Sequence, residues 1–174
     1  MALTADGEAV VVPTGGSPRI AMPRTWPTGH TYESFTGSAT CTPDACTFDH
    51  YGDADQYGSY EINGSISRSG DTLSFDLTLD VVATSGSLHW TLDGSLTVTP
   101  SLIDGSVHSH GTASSTMYQV TWDVDVDYQA IGLDASGCAV SGALAASVSM
   151  QDGSASYAAA GTIHFGPACG EVSL

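Results

Sequence analysis

The 174-residue chain contains no lysine and only three arginines, Arg19, Arg24 and Arg68, against nineteen acidic residues. Its formal net charge is −16 at pH 7. So few cations cannot neutralise a run of phosphates, so we expect no nucleic-acid partner. The same deficit excludes binding to an anionic membrane surface, and the missing lysine excludes Schiff-base chemistry.

Long apolar runs, helical periodicity and the usual catalytic motifs are also missing. No segment approaches the roughly 18 consecutive apolar residues of a transmembrane helix. Neither Gly-x-Ser-x-Gly nor His-Glu-x-x-His occurs. No catalytic residue stands out, and we expect a protein that is not an enzyme.

The chain does have strict alternation of apolar and polar residues from about residue 57 onward. The pattern is clearest over residues 73–81 and 117–131, and a shorter strand is predicted over residues 107–113. Unbroken parity across Asp93 and Gly94 favours one long strand there rather than a hairpin. Short Gly-containing turns separate these strands. The sequence therefore predicts an all-β fold, an antiparallel up-and-down meander that forms a barrel or a flattened β-sandwich.

The first thirty residues differ in composition from the rest of the chain. They contain four of the seven prolines, and Asp6 and Glu8 balance Arg19 and Arg24. We expect residues 1–30 to form a neutral, Pro-rich arm or linker and residues 31–174 to form a single acidic β domain. A sharper hypothesis is self-association, in which the arm donates a strand to a neighbouring subunit.

The first residues show no signal-peptide pattern, so we predict the compartment from the four cysteines. The spacing of Cys41 and Cys46, together with the even count, favours disulfides over a zinc site or free thiols, and hence an extracytoplasmic protein, secreted or at the cell surface. If Asp152 and Gly153 centre the last turn, Cys138 falls opposite residue 167, close enough to Cys169 for a bridge.

Two histidines, His108 and His110, share one strand face at a spacing that β-sheet metal sites use. With a turn near Ser114 and Ser115, Asp123 on the next strand lies diagonal to His108. These three residues are candidate ligands for a transition metal. The competing interpretation is that the histidines are solvated on a polar face, beside a row of aspartates that discourages edge-to-edge pairing.

A second candidate metal site is an acidic stretch that contains Asp49, Asp53, Asp55 and Glu61. Its alternating carboxylates and the glycine that follows echo the start of a calcium loop, although Tyr57 occupies the third ligand position. An EF-hand is therefore excluded, and an irregular Ca²⁺ loop is one interpretation. The other is an acidic, aromatic surface loop.

Three segments in the last third of the chain carry a family resemblance. They are Asp-Val-Asp-Tyr128, Gly-Cys-Ala-Val-Ser-Gly142 and Phe-Gly-Pro-Ala-Cys-Gly-Glu171. Together they resemble secreted, lipoprotein-like all-β domains of Gly/Ser/Asp-rich bacterial proteomes. The resemblance implies an extracytoplasmic location and carries no catalytic residues.

The functional expectation is a non-enzymatic extracytoplasmic β domain with a structural or cell-surface interaction role, such as an assembly subunit. The alternative is a module that binds a carbohydrate or a small apolar ligand. Such a module would use a barrel cavity or the aromatic side chains of Tyr51, Tyr57 and Tyr60.

Overall fold

The computed structural model describes residues 36–174 in full and, ahead of them, only the backbone of three short strands. Among the described residues, no helix is long and apolar enough to span a membrane. The strands, in chain order, are β1 (Ala2–Leu3), β2 (Ala9–Val10), β3 (His30–Glu33), β4 (Ser38–Cys41), β5 (Ala45–Asp55), β6 (Gly58–Ser69), β7 (Thr72–Ala83), β8 (Gly86–Thr99), β9 (Leu102–Ser115), β10 (Gln119–Leu133), β11 (Ala139–Asp152), β12 (Ala155–Phe165) and β13 (Val172–Ser173).

Strands β3 to β13 form one eleven-stranded antiparallel sheet in which each strand pairs with its neighbours in sequence. This confirms the predicted all-β antiparallel meander. The sheet is not closed, because β3 and β13 lie at its two opposite edges. Strands β1 and β2 pair only with each other. Apart from these two strands and His30, residues 1–30, which the sequence predicts as an arm that donates a strand, lie outside the described residues.

Alternation in the sequence gives the sheet two chemically different faces, because successive side chains of a strand point to opposite sides. In β7 and β8, for example, Leu77 pairs with Leu92, and Asp76 pairs with Asp93 on the other side. The side that we call the apolar face is formed by alternate residues of β6 to β11. Its large members are Tyr60, Ile62, Ile66, Leu73, Phe75, Leu77, Leu79, Val81, Leu88, Trp90, Leu92, Leu96, Val98, Ile103, Val107, Val120, Trp122, Val124, Val126, Tyr128, Leu144, Val148 and Met150.

Strand β8 passes straight through Asp93 and Gly94, as the unbroken parity predicts. Gly94 has a φ of 144°, a backbone conformation that L side chains rarely adopt. A glycine at this position therefore lets the strand stay continuous where another residue would strain it.

Strand β9 carries small residues on the apolar face, and the large side chains of its neighbours use that space. Gly111 pairs with Trp90 of β8 and Trp122 of β10, and a Cβ atom at Gly111 would overlap the indole ring of Trp122. The indole Nε1–H of Trp90 donates a hydrogen bond to Ser109 Oγ at 2.8 Å. The two tryptophans thus flank a strand without bulky side chains at this level.

Most large side chains of the apolar face are half-buried rather than fully buried. The buried apolar residues of the described chain are Ala39, Cys41, Cys46, Ile131 and Ala143, and no large side chain among the described residues is fully buried. Ile131, which pairs with Ile103, is buried, Tyr60, Val148 and Met150 are exposed, and the other large side chains of the apolar face are half-buried. The described chain forms one sheet that is not closed.

Two disulfides stabilise the sheet near its ends, and they confirm the predicted pairing. Cys41 and Cys46 are directly opposite across β4 and β5, with Cα atoms 4.1 Å apart. Cys138 and Cys169 have Cα atoms 5.4 Å apart. Both bridges are compatible with an oxidising, extracytoplasmic environment.

The last turn lies one residue later than the sequence suggested. Asp152 pairs with Ala155, so the turn is centred on Gly153 and Ser154. Extending that register moves the position opposite Cys138 from 167 to 169, which is the partner cysteine itself.

Candidate functional sites on the two faces of the sheet

The predicted metal ligands come together on the polar face, where β9 and β10 pair. In this register His110 is directly opposite Asp123, and His108 is directly opposite Asp125. The side chain of Asp123 therefore lies beside His110 and diagonal to His108. These groups are held by the ladder of two long strands rather than by a loop.

Their distances describe a compact His–Asp cluster, the name used below for His108, His110, Asp123 and Asp125. Nδ1 of His108 donates to Asp125 Oδ1 at 2.7 Å, and Nδ1 of His110 lies 3.3 Å from Asp123 Oδ2. Nε2 of His108 is 3.7 Å from the same Asp123 oxygen. One carboxylate oxygen is thus shared between two imidazoles, while a second carboxylate orients one of them.

The electrostatics of the cluster favour positive charge. The hydrogen bond to Asp125 raises the pKa of His108, and the charges of Asp123, Asp125 and Asp93 raise it further, against a smaller lowering by desolvation. Asp93 belongs to this group because it pairs with His108 across β8 and β9. The cluster is open to solvent on one side, where a depression of about 550 Å³ adjoins His110 and Asp123.

Asp125 is the member that the sequence did not suggest as a partner. The sequence placed the turn near Ser114 and Ser115, whereas β9 ends at Ser115 and β10 begins at Gln119. The later turn brings Asp125 opposite His108. Asp125 is two residues from Asp123 and therefore lies on the same face of β10. With the correct turn position, the sequence would have predicted it as the partner of His108.

The four carboxylates proposed as a calcium loop are not brought together. Asp55 Oδ1 accepts from the amides of Tyr57 and Gly58 at 2.8 and 3.0 Å and so stabilises the β5–β6 turn. Asp53 Oδ1 accepts from the amide of the next residue, Ala54. Within the described chain, one group of three side chains is placed to hold a metal ion, and it consists of His108, Asp123 and Asp125 of the His–Asp cluster.

Glu61 and Asp49, the other two carboxylates, both lie close to His50, which is part of a β-bulge in β5. Asp49 precedes His50 in the chain, and Glu61 lies on the neighbouring strand β6. The His50 backbone has a φ of 50°, and its amide donates to Asn63 Oδ1 at 2.8 Å. The bulge directs the imidazole to Glu61, with Nδ1 2.7 Å from Oε1, while Asp49 is 3.9 Å from Nε2. This is an ion pair that ties β5 to β6.

Two of the three tyrosines expected at a binding surface line the same depression. Tyr57 and Tyr60 are 67% and 43% exposed, and with Asp53 and Asp55 they line a shallow depression of about 330 Å³ at one end of the β5–β6 hairpin. Tyr51 instead packs edge-on against Phe48, with ring centroids 6.1 Å apart.

The apolar face extends across six neighbouring strands, from β6 to β11. One row of paired residues crosses it from Leu79 through Trp90, Gly111 and Trp122 to Met150. From β7 to β10 the face carries no charged side chain. A soluble monomer rarely exposes an apolar patch of more than a few hundred Å².

No family model, curated protein or solved structure matches the chain. Its function therefore has to be inferred from the two faces themselves, and the lipoprotein-like resemblance stays a prediction.

Proposed function

We propose that this chain is a non-enzymatic, extracytoplasmic structural subunit that associates with a second copy through the apolar face of its sheet. The observation that carries this proposal is the continuous apolar face, which has no second layer among the described residues. Domains are normally built from two packed layers around one core. A single open layer with one apolar side is half of such an arrangement.

The size of the face agrees with a dimer interface. Strands lie about 4.8 Å apart and rise about 3.3 Å per residue, so the six strands from β6 to β11 give the face a width of roughly 29 Å. From Leu73 to Val81 it extends for roughly 27 Å along the strands, which gives an area of roughly 800 Å². About 800 Å² per partner is the standard contribution to a stable interface.

The distribution of charge favours the same geometry. The aspartates of β7 and β10, such as Asp76 and Asp125, lie on the polar side. Two copies packed apolar face to apolar face would keep these carboxylates in water and apart from each other. The contact would be self-complementary, as a two-fold dimer requires, and would resemble a β-sandwich with layers about 10 Å apart.

The two disulfides support the extracytoplasmic part of the proposal. They are compatible with secretion or display at a cell surface, where glutathione does not reduce them. An outer face that is mostly polar, kept soluble by negative charge, fits a surface role.

Sedimentation velocity over a range of protein concentrations tests the association. The unmodified chain should sediment as a dimer, and Leu92→Asp, at the centre of the apolar face, should shift it to monomer. Ser95→Asp is the matched control, because Ser95 lies on the same strand but is exposed on the polar face. The milder Leu92→Ser should weaken dimerisation while keeping the circular dichroism spectrum, in case the charge prevents folding.

A monomer at every concentration would refute the dimer. A monomer that loses its fold on Leu92→Ser would instead show that another part of the same chain covers the face. Equal weakening by Leu92→Asp and Ser95→Asp would indicate a general effect of charge.

Carbohydrate binding is a second candidate function, supported by the depression at Tyr57 and Tyr60. Two exposed aromatic rings beside carboxylates offer stacking surfaces and hydrogen-bond acceptors for a sugar. A glycan array should show signals that Tyr57→Ala and Tyr60→Ala abolish. Tyr157→Ala, which removes a 62% exposed ring outside this depression, should leave them unchanged.

A further inference from the structure

We infer that the His–Asp cluster on the polar face is a binding site for a first-row divalent transition metal, represented by Zn²⁺. Its ligands would be Nε2 of His108, Nδ1 of His110 and Oδ2 of Asp123. This inference is independent of dimerisation, because the site lies on the opposite side of the sheet from the apolar face.

The shared carboxylate oxygen of Asp123 lies at about the spacing of two zinc ligands from each imidazole. Two ligands bound tetrahedrally at 2.0–2.1 Å from zinc lie roughly 3.3 Å apart. Asp123 Oδ2 lies 3.3 Å from Nδ1 of His110 and 3.7 Å from Nε2 of His108. The shared oxygen therefore lies near tetrahedral spacing from each imidazole. His110 lies outside the group whose potential ligand atoms are all within 4.8 Å of one another, so its ring has to turn toward His108 for both nitrogens to reach one ion.

Asp125 supplies the outer support that histidine ligands of metals usually have. A ligating imidazole commonly donates its other ring N–H to a carboxylate, which fixes the tautomer and the ring orientation. His108 has this arrangement, because its Nδ1 donates to Asp125 Oδ1 at 2.7 Å and leaves Nε2 as the free donor atom. Without such a partner, the tautomer and the ring orientation would not be fixed.

The type and charge of the donors select the metal. Imidazole nitrogens favour zinc, copper and nickel, whereas calcium and magnesium prefer oxygen ligands alone. Asp93, Asp123 and Asp125 surround His108 with negative charge, which favours a divalent cation. Two nitrogens and one carboxylate also leave a coordination position for water on the solvent side.

Isothermal titration of chelator-treated protein, prepared without a polyhistidine tag, tests the site. We expect one Zn²⁺ per chain, at least tenfold weaker binding in His108→Ala and in His110→Ala, and a loss of tenfold to a hundredfold in Asp125→Ala. Calcium in excess should not displace the zinc. Copper-loaded protein should give an electron paramagnetic resonance spectrum with coupling to two imidazole nitrogens, reduced to one in His110→Ala.

His89→Ala is the matched control. His89 lies on the same face with its Nδ1 2.6 Å from Asp80 Oδ1, but these two residues belong to no group of three potential ligands in the described chain. Its substitution should leave the affinity unchanged. Absence of saturable zinc binding, displacement of zinc by calcium, or an equal loss in His89→Ala and His108→Ala would overturn the inference. All substituted side chains are partly exposed, and circular dichroism establishes that each variant is folded.

Discussion

Replacing Gly111 with alanine tests whether the apolar face is packed as described. The added methyl group would occupy the position of the Trp122 indole, so the ring must leave its rotamer or β9 must move. Overpacking of this kind typically costs about 1–3 kcal/mol. Gly161 is the matched control, because it lies in β12 opposite Ala146, and a Cβ atom there would meet nothing within 4 Å.

The two substitutions should therefore have opposite signs. Alanine at Gly161 restricts the unfolded chain and should stabilise the fold by about 0.4–1 kcal/mol. The free energies of unfolding of Gly111→Ala and Gly161→Ala should then differ by about 1.4–4 kcal/mol. Urea denaturation followed by circular dichroism measures both, at one fixed chain concentration because association would add to the apparent stability.

A double-mutant cycle with Trp122 shows whether the indole ring causes the destabilisation by Gly111→Ala. In a Trp122→Ala background, Gly111→Ala should cost almost nothing, so the coupling energy should be close to the whole cost of the single substitution. If Gly111→Ala is as stable as the unmodified chain, or if its cost persists without the indole, the described packing of the two strands is wrong.

Two further predictions concern the ends of the sheet. Replacing both Cys138 and Cys169 with serine opens a loop of sequence separation 31 and should lower the free energy of unfolding in urea by about 3.5 kcal/mol. A loss below about 1 kcal/mol would show that the bridge does not restrict the unfolded chain. The hydrogen bond and charge of Glu61 raise the pKa of His50, and hydrogen bonds from Asn63 and then His50 lower the pKa of Glu61. The stability that His50 contributes is therefore complete below its ordinary pKa of 6.5 and is lost as the pH rises through the raised pKa. The stability that Glu61 contributes is complete above its ordinary pKa of 4.5 and is lost as the pH falls through the lowered pKa. In an NMR titration, Glu61→Gln should move the His50 midpoint down toward 6.5, and an unchanged midpoint would contradict the pair.

The strands could be predicted because alternation is a local signal with a period of two. It was strongest in β7 and β10, where large apolar residues alternate with aspartate, serine and threonine. It was weakest in β9, which the sequence placed at residues 107–113 and which covers Leu102–Ser115. Gly105, Ser109 and Gly111 lie on its apolar face, and such small residues blur the pattern.

Pairing partners depended on the exact position of each turn, which composition does not determine. An error of one residue in the last turn still left Cys138 near Cys169, since a disulfide tolerates that slip. The turn after β9 was placed too early, so Asp125 was not recognised as the partner of His108. Whether the sheet closes depends on twist accumulated over many strands, and no single segment encodes it.

The position of the disulfides determines which strands would bear tension applied at the two ends of the chain. Tension applied at the C-terminal end passes from Cys169 to Cys138 through covalent bonds, so residues 139–168, which include β11 and β12, lie off the path of the force. At the other end, the bridge from Cys41 to Cys46 likewise removes only the short β4–β5 turn from that path. The ladders that carry the load are then those from β5 to β10, and they would separate one hydrogen bond at a time. Under tension the sheet should lengthen by peeling β10 first from the C-terminal side, while its last hairpin stays folded.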